Sequence, residues 1–233
     1  MMSQFAARSD QQEMMDDLTC SGQEVRQTLH ELEVINAWLG GNGVTLEGVS
    51  RLINGVPPET TVTVADLGCG GGDIAERIRR LLTSKGLKGE VTGLDANANI
   101  VRIAEETFPD VHFDVVNIFS DEFTQLRFDI VTATLFFHHI DSRILAAFIR
   151  QLLGQTRIGI VINDIHRHWF SFHSIRWLTR IFSRSAMVRH DAPVSVLRAF
   201  SRKELEEILA EAGVKRYTIR WRWAFRWLVI IYV

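Results

Sequence analysis

Several features are scarce or absent in this 233-residue chain, and each absence excludes something. Two cysteines, Cys20 and Cys69, are too few for a disulfide framework, so a reduced, cytoplasmic setting is expected. The opening stretch, MMSQFAARSDQQEMMDD, contains no apolar core segment, which argues against a signal peptide. The longest apolar run, WLVIIYV at 227–233, falls far short of the about 20 residues that span a bilayer. No internal repeat or low-complexity tract is visible. The formal net charge of −2 looks unbiased, yet 14 basic and only 6 acidic residues lie between Arg157 and Val233. That last third is cationic and the remainder anionic. The basic side chains either solvate ordinary helix and strand faces or form a surface for a membrane, an acidic carrier or nucleic acid.

A hydrophobic content of 46% is enough for a full core, and the length suits one sizeable domain with additions. Residues 1–20 are polar and expected to be mobile. Val25, Leu29, Leu32, Ile35, Trp38 and Leu39 recur at helical spacing, and GGNG is expected to end that helix. VTLEGVSRLI predicts a second helix, closed by Asn54-Gly55, and Pro57-Pro58 separates this helical cap (1–56) from the rest. Strand-like runs then follow at 61–67, 90–94, 111–116, 128–134 and 157–163. Helical stretches lie between them at 74–82, 99–107 and 144–153. Such alternation implies right-handed crossovers and a parallel sheet covered on both faces. A segment at about 165–200, rich in Trp, Phe, His and Arg, interrupts the pattern. A helix opened by a Ser201/Glu204 capping box comes next, then two strands joined by a short turn. The expected fold is α/β and Rossmann-like. It has seven strands, mostly parallel, with an antiparallel C-terminal pair, an N-terminal helical cap and a helical lid insertion.

TVADLGCGGGDI, residues 63–74, places a glycine loop between a strand and a helix, where backbone N–H groups face a ligand. Counting from Gly68, a dinucleotide-binding loop needs its third glycine where Asp73 stands, and no Gly-Lys-Ser/Thr follows. Asp66 and Asp73 would both repel a pyrophosphate, so NAD and ATP fit badly. S-adenosylmethionine, a nucleoside with a net positive charge and no phosphate, fits well.

ADLGCGGGD resembles motif I of the class I S-adenosylmethionine-dependent methyltransferases, and the likeness continues in order through about 61–165. It implies that Asp66, Gly68, Cys69 and Gly70 form the cofactor loop. In VTGLDAN, Asp95, followed by Ala96, would hold the ribose hydroxyls. In FDVVNIF, Asn117 and Ile118 replace the family's Asp-Ala beside adenine. RFDIVTATLFFHHI is similar to strand 4 of the small-molecule branch that includes the ubiquinone-biosynthesis methyltransferases, which sets Leu135 against the methionine end. Arg51 is a candidate partner for the methionine carboxylate. By the same resemblance, residues 57–233 are the methyltransferase domain.

Methyl transfer needs alignment, exclusion of water and, for a hydroxyl acceptor, a base. His138 and His139 lie beyond strand 4, and Asp164, His166 and His168 beyond strand 5, at the sheet edge where ligands bind. His139 and His166 are the candidate bases, with Asp164 available to orient a ring. No fixed metal-ligand spacing such as H-E-x-x-H occurs, so no metal is expected. The family's Asn/Asp-Pro-Pro-Tyr/Phe base-recognition segment is missing, and neither cysteine follows strand 4; nucleic acid is therefore a disfavoured partner. From His166 to His190 there are five arginines and no acid, interleaved with aromatic and aliphatic residues. This segment is expected to lie as a lid over an apolar acceptor, with its arginines toward a membrane surface or an acidic carrier. APVSVLRAF resembles lid–helix junctions of bacterial methyltransferases of secondary metabolism. The leading expectation is an O-methyltransferase for a phenol, quinol or polyketide-like acceptor, monomeric or homodimeric, with C-methylation also open. RNA methylation and a non-catalytic interaction module are the alternatives.

Overall fold

A computed structural model describes residues 3–233. Seven strands form one sheet: β1 (Thr61–Leu67), β2 (Lys88–Asp95), β3 (His112–Val115), β4 (Phe128–Thr134), β5 (Thr156–Ile165), β6 (Tyr217–Arg222) and β7 (Arg226–Tyr232). Their order is β3-β2-β1-β4-β5-β7-β6. The first five are parallel, and β7 enters antiparallel between β5 and β6. The chain reverses direction across the sheet between β1 and β4, the place where open α/β sheets leave a crevice beyond their carboxyl ends. β1, β4 and β5 are buried on both faces, as their unbroken apolar runs predict.

Nine α-helices surround the sheet among the described residues. On one face, α2 (Gly41–Leu52), α3 (Asp73–Ser84) and α4 (Ala98–Thr107) pack over β1, β2 and β5. On the other lie α5 (Asp121–Gln125), α6 (Ser142–Gln155) and α9 (Arg202–Glu211). The capping box opens α9 as expected: Ser201 Oγ accepts from the Glu204 N–H, and Ser201 N–H donates back to that carboxylate at 2.7 Å. The second helix departs from expectation. α1 (Gly22–Trp38) stops before Gly40, whose left-handed φ of 70° turns the chain, and α2 already begins at Gly41. Glycine is needed there for contact: a Cβ at Gly41 would stand 2.6 Å from the Arg226 guanidinium, and one at Gly48 2.4 Å from Val161.

Two further helices, α7 (Trp169–Phe182) and α8 (Ala186–Arg198), make up the 165–200 insertion and pack on each other. The polar N-terminal segment is held against α8 and the end of β4 rather than loose; Arg8 alone makes four hydrogen bonds across that junction. Among the described residues no helix is long and apolar enough to cross a membrane.

Candidate active site

A cavity of about 1350 Å³ opens at the carboxyl edge of β1, β2 and β4. This is at or above the size of ordinary ligand pockets, about 300–1,000 Å³, so two small molecules fit side by side.

Its floor is made mostly of backbone. Gly68, Gly70 and Gly72 all adopt left-handed φ, at 62°, 53° and 83°, which lets the chain leave β1 and enter α3 in five residues. Around Gly70 and Gly71 a Cβ would meet only Leu29, at 3.7 Å, so this part of the loop stands open to the cavity. Gly68 is the opposite case. A Cβ there would fall 2.1 Å from the Phe136 ring, which binds the loop to the segment after β4. Asp95, ending β2, accepts from the N–H groups of Asn97 at 2.9 Å and Gly70 at 3.3 Å. Asn117 Oδ1 accepts from the Phe119 N–H at 2.9 Å, and Ile118 is buried beside it. Leu135 holds a left-handed φ of 53°, a strained state for a branched residue, while its N–H donates to the Asn163 carbonyl at 2.8 Å.

The floor is also anionic. Asp66 is fully buried on β1, with Oδ1 accepting from Thr132 Oγ at 2.6 Å, and burial pushes its carboxyl up to about 7. Burial likewise raises Asp95, against the pull of its backbone hydrogen bonds. Asp73 is raised by burial and by the neighbouring charge of Glu33. Asp73 keeps Arg77 at 3.7 Å, but among the described residues no arginine or lysine pairs with Asp66 or Asp95, and a cation in the adjoining space favours their ionised forms. Cys69 lines the cavity, but burial drives its thiol well above the ordinary range, so it is no nucleophile.

The roof is made of side chains. Arg198 on α8 donates to Asp16 Oδ2 at 2.6 Å, to Glu13 Oε1 at 3.3 Å and to the His139 carbonyl at 3.0 Å. Asp191 takes the N–H groups of Met14 and Met15 at 2.8 and 3.1 Å, and Ser195 donates to Glu13 at 2.7 Å. Arg8 donates to the carbonyls of Arg198, His138 and Ile140. The N-terminal segment is thereby strapped across the cavity mouth. Burial pushes Asp16 upward, but the hydrogen bonds of His139 and Arg198 outweigh it and keep the carboxyl well below its ordinary value. Burial raises Glu13, with His139 and Arg198 only partly opposing it.

Two histidines sit where floor and roof meet. His138 is buried, with Nδ1 2.8 Å from Asp164 Oδ1 and its own N–H donating to Oδ2 at 3.1 Å. Its Nε2 lies 3.5 Å from Glu13 Oε1 without a hydrogen bond. His139 Nδ1 is 2.6 Å from Asp16 Oδ1. Asp164 and Asp16 are both held ionised, so each facing Nδ1 carries a proton and donates it. Ligand atoms of Glu13, His138 and His139 come within 4.8 Å of one another, but Arg198 already supplies positive charge against both Glu13 and Asp16.

Of the residues expected from sequence, Asp66, Gly68, Cys69, Gly70, Asp95, Ala96, Asn117, Ile118, Leu135 and His139 all line this cavity. Arg51 and His166 do not. Arg51 lies on the outer side of α2 and pairs with Glu47 at 2.8 Å, beside Arg222, because the inward face of that helix belongs to Val44, Thr45, Gly48 and Val49. His166 bridges to Phe200 and packs 4.7 Å from Trp227, where burial lowers its imidazole to about 4. The roof residues Arg8, Glu13, Asp16 and Arg198 were missed; no local motif marks them. The same holds for Arg226, buried against Gly41 with Asn36 at 2.7 Å and lowered by burial to about 10.

Comparison with known proteins agrees with this architecture. Residues 64–159, less than half the chain, match a family model described as a methyltransferase domain. Protein 235L of Invertebrate iridescent virus 6, which carries the name of a methyltransferase, is 29% identical over 124 residues, 47% of this chain. The match spans 45% of the viral protein, less than half its length. Among solved structures, the plantazolicin methyltransferase BpumL with a triazolic desmethylPZN analog and SAH superposes with a TM-score of 0.66 at 15% identity, covering 90% of each chain. An O-methyltransferase-like protein of Nostoc punctiforme gives 0.58 at 15% identity over 84% of this chain and 57% of its own. The CurJ carbon methyltransferase gives 0.59 at 16% identity over 81% and 53%. The chain has the Rossmann-like fold of the class I methyltransferases, and residues 64–159 carry the sequence match to the methyltransferase domain.

Proposed function

We propose that this protein is an S-adenosylmethionine-dependent methyltransferase whose acceptor is a small apolar or aromatic molecule bearing a hydroxyl. The observation that carries the reading is the floor: an open glycine loop ringed by the buried carboxylates of Asp66, Asp73 and Asp95. A sulfonium nucleoside suits that charge, and a pyrophosphate does not. When bound, the cofactor supplies an activated methyl group. The chain supplies the rest. Asp95, preset by two backbone N–H groups, is placed for the ribose hydroxyls, and Asn117 and Ile118 for the adenine. Leu135 and the open backbone at Gly70 face the remaining space. The strapped roof excludes water, which strengthens every polar contact beneath it. His139 Nε2 is the group that takes the acceptor's hydroxyl proton, with Asp16 holding Nδ1–H and stabilising the imidazolium that results. A well-placed base of this kind contributes about 10²–10⁴ in rate.

Titration calorimetry with S-adenosylmethionine, NAD and ATP tests the reading. Only the first is expected to bind, and Asp95→Ala weakens it at least tenfold with the fold intact. Tight binding of NAD or ATP in its place would overturn the assignment. On a panel of hydroxyl acceptors, His139→Ala is expected to lower turnover by at least tenfold with little change in cofactor affinity. Wild-type turnover in that variant would remove the base role.

A further inference from the structure

The helix α7 is built inside out. Its buried side chains are Ser171 and Thr179, while Trp177, Ile181 and Phe182 stand 65%, 52% and 72% exposed. Trp169 and Phe170 at its start are also about half exposed. Phe170, Trp177 and Ile181 follow one another at spacings of seven and four, so they form a stripe on one helix face. Arg176 and Arg180 lie one turn apart along its flank and Arg184 follows two residues beyond its end, all exposed. The patch continues beyond the helix. Phe170 lies 5.8 Å from Phe225, in the turn between β6 and β7, and Phe225 is 5.9 Å from Trp221. Trp223, at the tip of that turn, is 71% exposed. Non-glycine residues hold the turn's shape at left-handed φ, 61° for Ala224 and 56° for Phe225, so the aromatic tip is presented at the expense of backbone strain.

Water-facing indole and phenyl rings in a continuous patch mark a docking surface. The charge on it selects the partner. Between His166 and His190 there is no acid; Arg167 is buried against Glu204, and Arg176, Arg180, Arg184 and Arg189 stand exposed. The adjoining Glu31 is engaged by the N–H groups of Arg184 and Ser185 and by the Ser183 hydroxyl. Tryptophan and arginine together, on a helix face left uncovered among the described residues, match the chemistry of an anionic lipid headgroup layer: the rings enter the interface and the guanidinium groups meet phosphates. We infer that α7 and the β6–β7 turn dock this protein onto anionic bilayer surfaces. The opposite side of the insertion, α8, lines the cavity through Val188, Asp191 and Ser195. Docking therefore sets the roof of the cavity one helix away from the lipid, where an apolar acceptor is concentrated. The surface stands independently of the methyl-transfer reading, because it is tested by binding alone.

The experiment is co-sedimentation of the whole protein with phosphatidylcholine vesicles and with vesicles containing one third phosphatidylglycerol. Binding is expected to the second and not the first, and to weaken with salt. Each arginine near the surface is worth about fivefold, so neutralising three in R176Q/R180Q/R184Q loses on the order of a hundredfold. Trp177→Ser, at an exposed site, loses at least threefold. Both variants keep wild-type circular dichroism. No binding to anionic vesicles overturns the proposal, as does an unchanged affinity in both variants. A dimer in analytical ultracentrifugation that Trp177→Ser dissolves assigns the face to a second copy instead. Equal capture of soluble polyglutamate assigns it to an acidic protein.

Discussion

The floor and the roof of the cavity hold their shape by different physics. The floor relies on backbone: left-handed glycines, N–H groups directed at Asp95 and a loop too tight for side chains. The roof relies on side-chain charge: Arg198 between Glu13 and Asp16, Asp191 on two N–H groups of the strap, and Arg8 on three carbonyls. A backbone-built surface has one geometry and few ways to move. An ion-paired cover separates when one partner is removed or neutralised. A site that must admit two reactants and then shut out water combines a rigid side with a releasable one.

The largest effect that would break this contrast falls on the floor. Gly68→Val puts a branched side chain at φ 62° and into the Phe136 ring. Strain and overpacking together are expected to cost about 2–5 kcal/mol in urea unfolding, with loss of cofactor binding. A loss under 1 kcal/mol would show the loop to be more pliable than its geometry implies. The roof should respond differently. Arg198→Met leaves Glu13 and Asp16 without their cation, and the strap releases rather than the fold. Hydrogen exchange at residues 9–17 is expected to speed up at least tenfold while the urea midpoint moves little. Equal protection in the variant would mean that the roof does not depend on its charges.

The pH dependence sharpens the comparison further. Asp66 is raised to about 7, so the folded protein keeps a proton that the unfolded chain has already released. Its contribution to stability is complete below the ordinary carboxylate range and is lost as pH rises through about 7. A bound cation reverses the preference, since it favours the ionised form. S-adenosylmethionine affinity is therefore expected to climb several-fold between pH 5.5 and 7.5 by calorimetry, and to flatten in Asp66→Asn. The smallest effect belongs to Arg51→Ala. Its side chain pairs with Glu47, so cofactor affinity should change by less than about twofold, and stability by under about 1 kcal/mol.

The two sides also differed in how far they could be read from sequence. The floor is local: residues 63–74 contain the loop and both flanking acids, and Asp95 follows one crossover later. Strand, glycines and helix sit in one continuous stretch. The roof joins residues that are 123 apart (Asp16 and His139) and 182 apart (Asp16 and Arg198), and no spacing rule links them. Arg51 was misplaced because helical periodicity gives an amphipathic pattern without saying which neighbour the polar side meets. His166 was misplaced because β5 runs on to Ile165, and the bridge to Phe200 then turns the next ring away from the cavity. The lid segment was legible in composition but reversed in orientation: only α8 lines the cavity, while the apolar stripe of α7 faces outward.

The long reach of the strap has a consequence for biogenesis. Glu13 and Asp16 are made before any strand of the sheet, and Arg198 after five of the seven. Closing so large a loop is slow compared with the neighbouring strand–helix contacts, so the cover assembles after them. A nascent chain exposes its glycine loop before it owns the means to cover it.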